Sequence, residues 1–298
     1  MRIFVAGSSG QVARSLVEAA DKAGIELRTA GRPELDLSDM AGAADLITAY
    51  APTVIINAAA YTAVDTAETD EENALSVNTD GAATLAEIAA DLDVPFLHLS
   101  TDYVFDGDKD EAYTESDAVG PTGAYGRTKL AGEVAVLAAN PNAAIFRTAW
   151  VYSPFGKNFC KTMLMLAKTR DTLGVVADQF GNPTYAPDIA NALLSIARAY
   201  AKNGSKPDYA GLFHLAGAGD TSWHGFATEI FNQGAAFDHP VPTVNAITTA
   251  EFPTPAKRPE NSRLDCSKLR AVFGITLPNW QKSTEACVKR LFESGALE

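Results

Sequence analysis

Along the first half of the chain, short runs of apolar, mostly β-branched residues alternate with longer stretches whose apolar positions recur every three or four residues. The short runs "RIFVAG" (2–7), "ELRTAG" (26–31), "TVIINAAA" (53–60), "PFLHLS" (95–100) and "AAIFRTAW" (143–150) predict buried strands. The longer stretches predict helices over 11–24, ending at Gly24, over 41–52, stopped at Pro52, and over 73–93, with a fourth after Thr122. Regular β-α-β alternation with continuously apolar strands implies an α/β fold: a parallel sheet with helices on both faces.

Beyond Trp150 the pattern loosens. The strand-like runs at 173–178 and 211–217 either rejoin the sheet or build a smaller domain. The Pro- and Thr-rich segment 240–265 reads as an ordered surface loop, because apolar and aromatic residues flank it. The division that follows is a first domain over 1–150 and a smaller C-terminal one over 151–298. Segments near 173–190 and 211–217 are candidates to return to the first. No repeat or low-complexity tract interrupts this plan.

Composition changes the picture only at its edges. The chain has 298 residues, 47% of them hydrophobic and 20% charged, which is ordinary for a globular protein with an ample core. A formal net charge of -13 argues against nucleic acid or an anionic membrane as partner, but not against a small anion held locally. Cys160, Cys266 and Cys287 are odd in number and lack a CxxC spacing, which fits a reducing compartment rather than a disulfide framework. The apolar stretch at the N-terminus is too short for a signal peptide or a membrane span, and no later run is long enough to span. A cytoplasmic protein is expected.

The turn "GSSGQVA" follows the first strand and opens the first helix. Gly7 and Gly10 stand where the chain turns tightly and a phosphate approaches the backbone. Gln11 and Val12 then aim helix N-terminal amides at that phosphate. Ala13 fills the place of a third small residue, giving G-x-x-G-x-x-A, a weaker signal than G-x-G-x-x-G. This is the phosphate-binding turn of a Rossmann-type doubly wound sheet. The second strand runs out as Thr29-Ala30-Gly31-Arg32 with no acid at its tip, so Arg32 favours the 2′-phosphate of NADP over the ribose of NAD. Asp36 and its neighbour Leu37 are candidates to meet the adenine. The alanines Ala58, Ala59 and Ala60 suit either a flat cofactor or tight helix–sheet packing. Tyr61 and Thr62 follow them at the strand edge where such sheets bind ligands.

The chemistry-bearing residues come next. Thr101 ends the strand "FLHLS", and Tyr125-x-x-x-Lys129 opens the following helix, its two side chains one turn apart on one face. A hydroxyl, a phenol and an ammonium beside a dinucleotide turn form a reductase-like set. With "NAAAYTAVDTAE", "STDYVFDG", "YGRTKLAGE", "IFRTAWVY", "NFCKTMLMLAK", "DQFGNPT" and "PTPAKRPENSRL", the chain resembles the dTDP-4-dehydrorhamnose reductase family of the extended short-chain dehydrogenase/reductases over nearly its whole length.

The resemblance implies reduction of the 4-keto group of a dTDP-6-deoxy-hexulose by NADPH or NADH. It implies Tyr125 as proton donor, Lys129 as the residue that lowers the phenol pKa and binds the nicotinamide ribose, and Thr101 as the group polarising the carbonyl. Asn78 would support a proton relay, and Leu99 would line the cofactor. Asp102, Tyr103, Trp150, Asn158 and Arg258 would meet the substrate, and Arg263 is a candidate either for phosphate or for pinning its loop.

Two departures stand out. Ala13 replaces the third glycine. Arg14-Ser15 occupies the first-helix position where some family members carry an acid of a Mg2+-bridged dimer, so no metal is expected, and the assembly is a monomer or a homodimer. His98, His214, His224 and His239 lack ligand spacing and read as structural or surface residues. Two other readings stay open: a nucleotide-sugar epimerase of the same superfamily, and a non-catalytic NADP-binding subunit similar to the β subunit of methionine adenosyltransferase. A dehydratase is disfavoured, because Thr101-Asp102-Tyr103 lacks an Asp-Glu doublet.

Overall fold

The computed structural model describes residues 1–297. Its strands are β1 (Arg2–Ala6), β2 (Glu26–Ala30), β3 (Val54–Asn57), β4 (Phe96–Thr101), β5 (Ala144–Thr148), β6 (Val151–Tyr152), β7 (Thr172–Val176), β8 (Phe180–Gly181), β9 (Thr184–Tyr185), β10 (Gly211–His214), β11 (Thr221–Ser222) and β12 (Thr243–Ile247). Its helices are α1 (Gln11–Ala23), α2 (Ala43–Tyr50), α3 (Val64–Ala67), α4 (Glu71–Leu75), α5 (Gly81–Asp91), α6 (Ala124–Ala139), α7 (Phe159–Ala167), α8 (Ala186–Asn203), α9 (Trp223–Ala235), α10 (Ser267–Phe273) and α11 (Trp280–Glu293).

Six parallel strands form the main sheet in the order β2-β1-β3-β4-β5-β10. After β1 the chain winds first to β2 on one side and then to β3 on the other. The carboxyl ends of β1 and β3 therefore flank the switch point, where such sheets bind ligands. The inner strands β1, β3, β4 and β5 are mostly apolar and buried because both faces are covered, while the edge strand β2 carries Glu26 and Arg28. Ile3 and Val5 pack with α1 and α8 on one face, while Phe4 and Ala6 pack with α2 and α5 on the other. A separate cluster joins Tyr152, Cys160, Phe226, Trp280 and Val288 from β6, α7, α9 and α11.

The two late strand-like runs part ways. β10 returns to the sheet edge beside β5, whereas β7 pairs with β12 away from it. β12 also corrects the reading of 240–265 as loop throughout, since Thr243–Ile247 is a strand. Val244 and Ile247 are three positions apart, so the segment shows no clean alternation, and prolines flank it. The helix expected over 73–93 begins at Glu71 and is interrupted by a π-turn over Ser76–Asp80. The π-turn sits where Asn78 bonds across to α6, a local distortion of the kind that accompanies functional positions.

One buried ion pair ties the sheet to α6. Arg147 on β5 donates Nε to Glu133 Oε1 at 2.9 Å and Nη2 to Oε2 at 2.6 Å, and Ser100 Oγ donates to Oε1 at 2.6 Å. The guanidinium also lies 5.0 Å from the centroid of the Phe105 ring. Arg147→Met alone leaves a buried carboxylate unpaired and is expected to cost about 3–5 kcal/mol, while Arg147→Met with Glu133→Leu recovers most of that loss. Urea unfolding of the two variants checks it.

Candidate active site

The glycine-rich turn is built as the sequence spacing requires. Gly7 has φ +105, and a Cβ there would stand 3.2 Å from the Ala58 carbonyl carbon, so a side chain is excluded by both conformation and space. Gly10 precedes α1 without a side-chain cap, and the first turn of α1 carries no acid. The first amides of the helix are therefore free to meet an anion. Gln11 does more than point an amide. Its Oε1 accepts from Ser153 Oγ at 2.7 Å and from Asn158 Nδ2 at 3.0 Å, and its Nε2 donates to Val151 O at 3.3 Å. Val12 is buried beneath the turn.

Arg32 is exposed just past β2, and no carboxylate among the described residues pairs with it. Neighbouring Gly31 touches Ser8 of the glycine-rich turn, where an added Cβ would come 2.6 Å from the hydroxyl. Arg32 thus stands beside the phosphate turn. The Asp36 carboxylate accepts from Ser38 N and Ser38 Oγ through Oδ1 alone and is held low by those bonds. Leu37 is buried, with its carbonyl against Gly81. Ala58, Ala59 and Ala60 are half-buried at the end of β3, and Thr62 is exposed. Asn78 clips this loop down: it accepts from Tyr61 N at 2.8 Å and donates to Tyr61 O and Thr128 Oγ1.

Thr101 lies buried at the carboxyl end of β4. Its hydroxyl donates to Asp102 Oδ1 at 3.0 Å and accepts from Tyr103 N at 3.2 Å. α6 delivers Tyr125 and Lys129 to the same edge because two of its glycines admit backbone. A Cβ at Gly126 would fall 2.2 Å from Tyr103 O, and one at Gly132 would fall 2.1 Å from Asn78 O. Glu68, after α3, caps the N-terminus of α6 by accepting from Ala124 N at 2.8 Å. The Tyr103 ring meets that of Tyr125 edge-on at 5.5 Å, and Arg258 lies 6.0 Å over Tyr103.

Burial pushes the Tyr125 phenol up to about 12, with the Thr101 hydroxyl pulling it down and the Asp102 charge adding to the rise. Burial lowers the Lys129 ammonium to about 8, against the pull of Glu133. The Lys129 Nζ donates to Leu99 O at 2.8 Å, with His98 Nε2 3.5 Å away.

The remaining predicted contacts divide. Trp150 leaves β5 at φ +46 and stacks on Trp223 at 3.6 Å, a partner that the sequence reading missed because it lies 73 residues on. Asn158 has no polar atom to spare for a diphosphate. It caps α7 by accepting from Lys161 N and donates to Gln11 Oε1, Ser153 O and Phe155 O. Arg258 bonds Asp65 at 2.8 Å and keeps a buried Nη1 without a hydrogen-bond partner. Arg263 pins its loop, donating to Asn261 Oδ1 and Asp110 O. Among the described residues no cluster of His, Cys, Asp and Glu could hold a metal.

Asp102 is the costly group of the site. It is buried, its Oδ2 has no hydrogen-bond partner, and burial raises its carboxyl to about 6 against bonds from Ser262 and Thr101. Its folded pKa exceeds its unfolded one, so its share of stability is full below about pH 4 and is lost as pH rises through about 6. Asp102→Asn is therefore expected to stabilise the fold by about 2 kcal/mol at neutral pH. The gain should vanish toward pH 4. Thermal melts across that range check it.

Comparison with known proteins agrees with this geometry. The family described as RmlD substrate binding domain matches residues 1–293. A dTDP-4-dehydrorhamnose reductase of Sinorhizobium fredii is 50% identical over 295 residues, 99% of each chain. The structure of a dTDP-4-dehydrorhamnose reductase from Clostridium acetobutylicum superposes with TM-score 0.90 at 37% identity, covering 98% of this chain and 100% of its own. A dTDP-4-dehydrorhamnose reductase from Bacillus anthracis, solved in complex with NADP, gives TM-score 0.88 at 31% identity, covering 98% and 99%. Matched almost from end to end, and half identical to a relative along its whole length, the chain belongs to the RmlD family, that of the dTDP-4-dehydrorhamnose reductases.

Proposed function

We propose that the protein reduces the 4-keto group of dTDP-4-dehydro-6-deoxy-L-mannose with NADPH to give dTDP-L-rhamnose. The observation that carries this reading is the convergence of Thr101, Tyr125 and Lys129 on the carboxyl edge of β4, next to the uncapped N-terminus of α1. The residues present fit a dinucleotide: Gly7 leaves room only for backbone, the α1 amides are free, and Arg32 stands unpaired beside the turn. NADPH, when bound, supplies the hydride. Gly7, Gly10, Gln11 and Val12 would hold its pyrophosphate and Arg32 its 2′-phosphate, while Ala58, Ala59, Ala60, Tyr61, Thr62 and Leu99 would line it.

At neutral pH the Tyr125 phenol is fully protonated, which is the form a proton donor needs. It gives its proton to the sugar O4 as the carbonyl becomes an alcohol. Thr101 would turn its one hydroxyl proton from Asp102 Oδ1 to the sugar oxygen while still accepting from Tyr103 N, and Lys129 supplies positive charge beside the phenolate left behind. Asp102 and Tyr103 would face the hexose. Trp150, braced on Trp223, offers an aromatic surface to it, and the unpartnered Nη1 of Arg258 is a donor for the nucleotide side of the substrate. Asn158 serves the site indirectly, by fixing Gln11. The substrate is thus a small anionic nucleotide sugar, compatible with a strongly acidic surface. No helix among the described residues is long and apolar enough to cross a membrane. The three free cysteines suit the reducing cytoplasm, where such a substrate is made.

The purified protein is expected to oxidise NADPH stoichiometrically with the dTDP-ketosugar. Tyr125→Phe should lower turnover roughly 10²–10⁴-fold while leaving NADPH affinity intact. Near-normal turnover in that variant, or sugar interconversion without net NADPH loss, would overturn the reading. Arg32→Ala should raise KM for NADPH about 10-fold and leave KM for NADH nearly unchanged, read from initial rates with each cofactor.

A further inference from the structure

Beneath the site lies a buried chain of polar groups whose donor directions are dictated from one end. The Ala59 amide N–H can only donate, and it points at Asn57 Oδ1 at 3.0 Å. That fixes the Asn57 amide, so the atom facing His98 Nδ1, at 3.1 Å, is the donor Nδ2. His98 Nδ1 is then the acceptor and the ring proton sits on Nε2. Nε2 in turn faces Lys129 Nζ at 3.5 Å, while Nζ donates to Leu99 O at 2.8 Å. The strand register makes this arrangement, since Asn57 of β3 is paired directly with His98 of β4. His98 and Lys129 are both about 1% exposed, so no solvent relaxes the geometry.

We propose that His98 is a positioning residue: locked by Asn57 as its Nε2–H tautomer, it presents a donor to Lys129 Nζ and so favours the neutral amine. Against an ammonium this N–H meets another donor; against an amine it completes a hydrogen bond to the nitrogen lone pair. Burial and the Lys129 charge both push His98 well below its ordinary value, so it stays a neutral ring. Lys129 itself is lowered to about 8. The other charged group that acts on it is Glu133 on its own helix. Glu133 attracts the ammonium, but its carboxylate is already committed to Arg147 and Ser100.

The consequence rests on the proposed reductase reading. After Tyr125 has lost its proton to the sugar, the phenolate must be reprotonated. A Lys129 N–H bond breaks, the Tyr125 O–H bond re-forms, and His98 Nε2–H satisfies the amine left behind. Lys129, buried in this structure, then regains its proton from water that enters the crevice once product has left. A lysine at its ordinary affinity would hold that proton about 300-fold more tightly.

The direct test needs no activity. Imidazole 15N NMR of the 15N-histidine-labelled protein should show His98 as a neutral Nε2–H ring throughout the neutral pH range, with its signals assigned by their loss in His98→Gln. An Nδ1–H ring or an imidazolium would overturn the proposal. The kinetic arm reads the alkaline limb of kcat. Glutamine offers the same acceptor and donor pair as the Nε2–H ring, so His98→Gln should leave the limb within about 0.3 units of its original position. Asn57→Asp turns the Asn57 donor into an acceptor, reverses the tautomer, and should raise the limb by about one unit, a roughly 10-fold change in proton affinity. A limb that moves equally in both variants, or in neither, would also overturn it. Loss of ketosugar reduction in the unaltered protein would sink the reductase reading and leave the tautomer result standing.

Discussion

Everything functional in this molecule depends on how closely α6 lies against the edge of the sheet. Two positions on that helix, Gly126 and Gly132, sit so near the carbonyls of Tyr103 and Asn78 that a methyl group has no room at either. The approach brings Tyr125 up to Thr101 and drops Lys129 into the layer beneath. Glu133, on the same helix, is clamped by Arg147, and Glu68 seals the helix start. Backbone contact and buried charge thus place the helix, while the bonds of Thr101 to Asp102 and Tyr103 N and of Lys129 to Leu99 O orient the groups themselves.

That placement has an energetic cost, visible in three groups. Asp102 is buried with one oxygen unpartnered, Lys129 is buried as a cation, and Trp150 holds a left-handed backbone conformation unusual for a residue with a side chain. Each is unfavourable for the fold alone, and all three lie where strands β4 and β5 deliver the chain to the crevice. Groups kept at the crevice at a cost to the fold are what a site carries when stability has been exchanged against reactivity. The polar layer linking Asn57, His98 and Lys129 belongs to the same pattern: it adds little to packing, yet it fixes where protons reside.

The strands and helices of the first half were legible in the amino-acid pattern because both of their periods are local. Apolar runs gave β1 to β5, Gly24 and Pro52 closed two helices, and the glycine spacing marked the phosphate turn. Thr101, Tyr125 and Lys129 were legible because each lies at a strand end or helix start that the pattern itself locates. Less was legible past Trp150. There Val244 to Ile247 finds its partner β7 about 70 residues away, and the segment lies between prolines with no clean apolar alternation of its own. Asn158 looks like a ligand residue in sequence, but in space its amide is bonded to Gln11, Ser153 and Phe155.

The sequence by itself determined the α/β alternation, the dinucleotide turn and the identity of the reacting groups, because short-range periodicity and conformational necessity are written residue by residue. Only the tertiary structure decided that β10 closes the sheet while β7 leaves it, that Trp223 braces Trp150, and that His98 is no idle core histidine. Those outcomes depend on pairings between segments tens of residues apart. There a fixed backbone donor at Ala59 orients Asn57, and through it His98, toward Lys129, a directional relation that no spacing along the chain records.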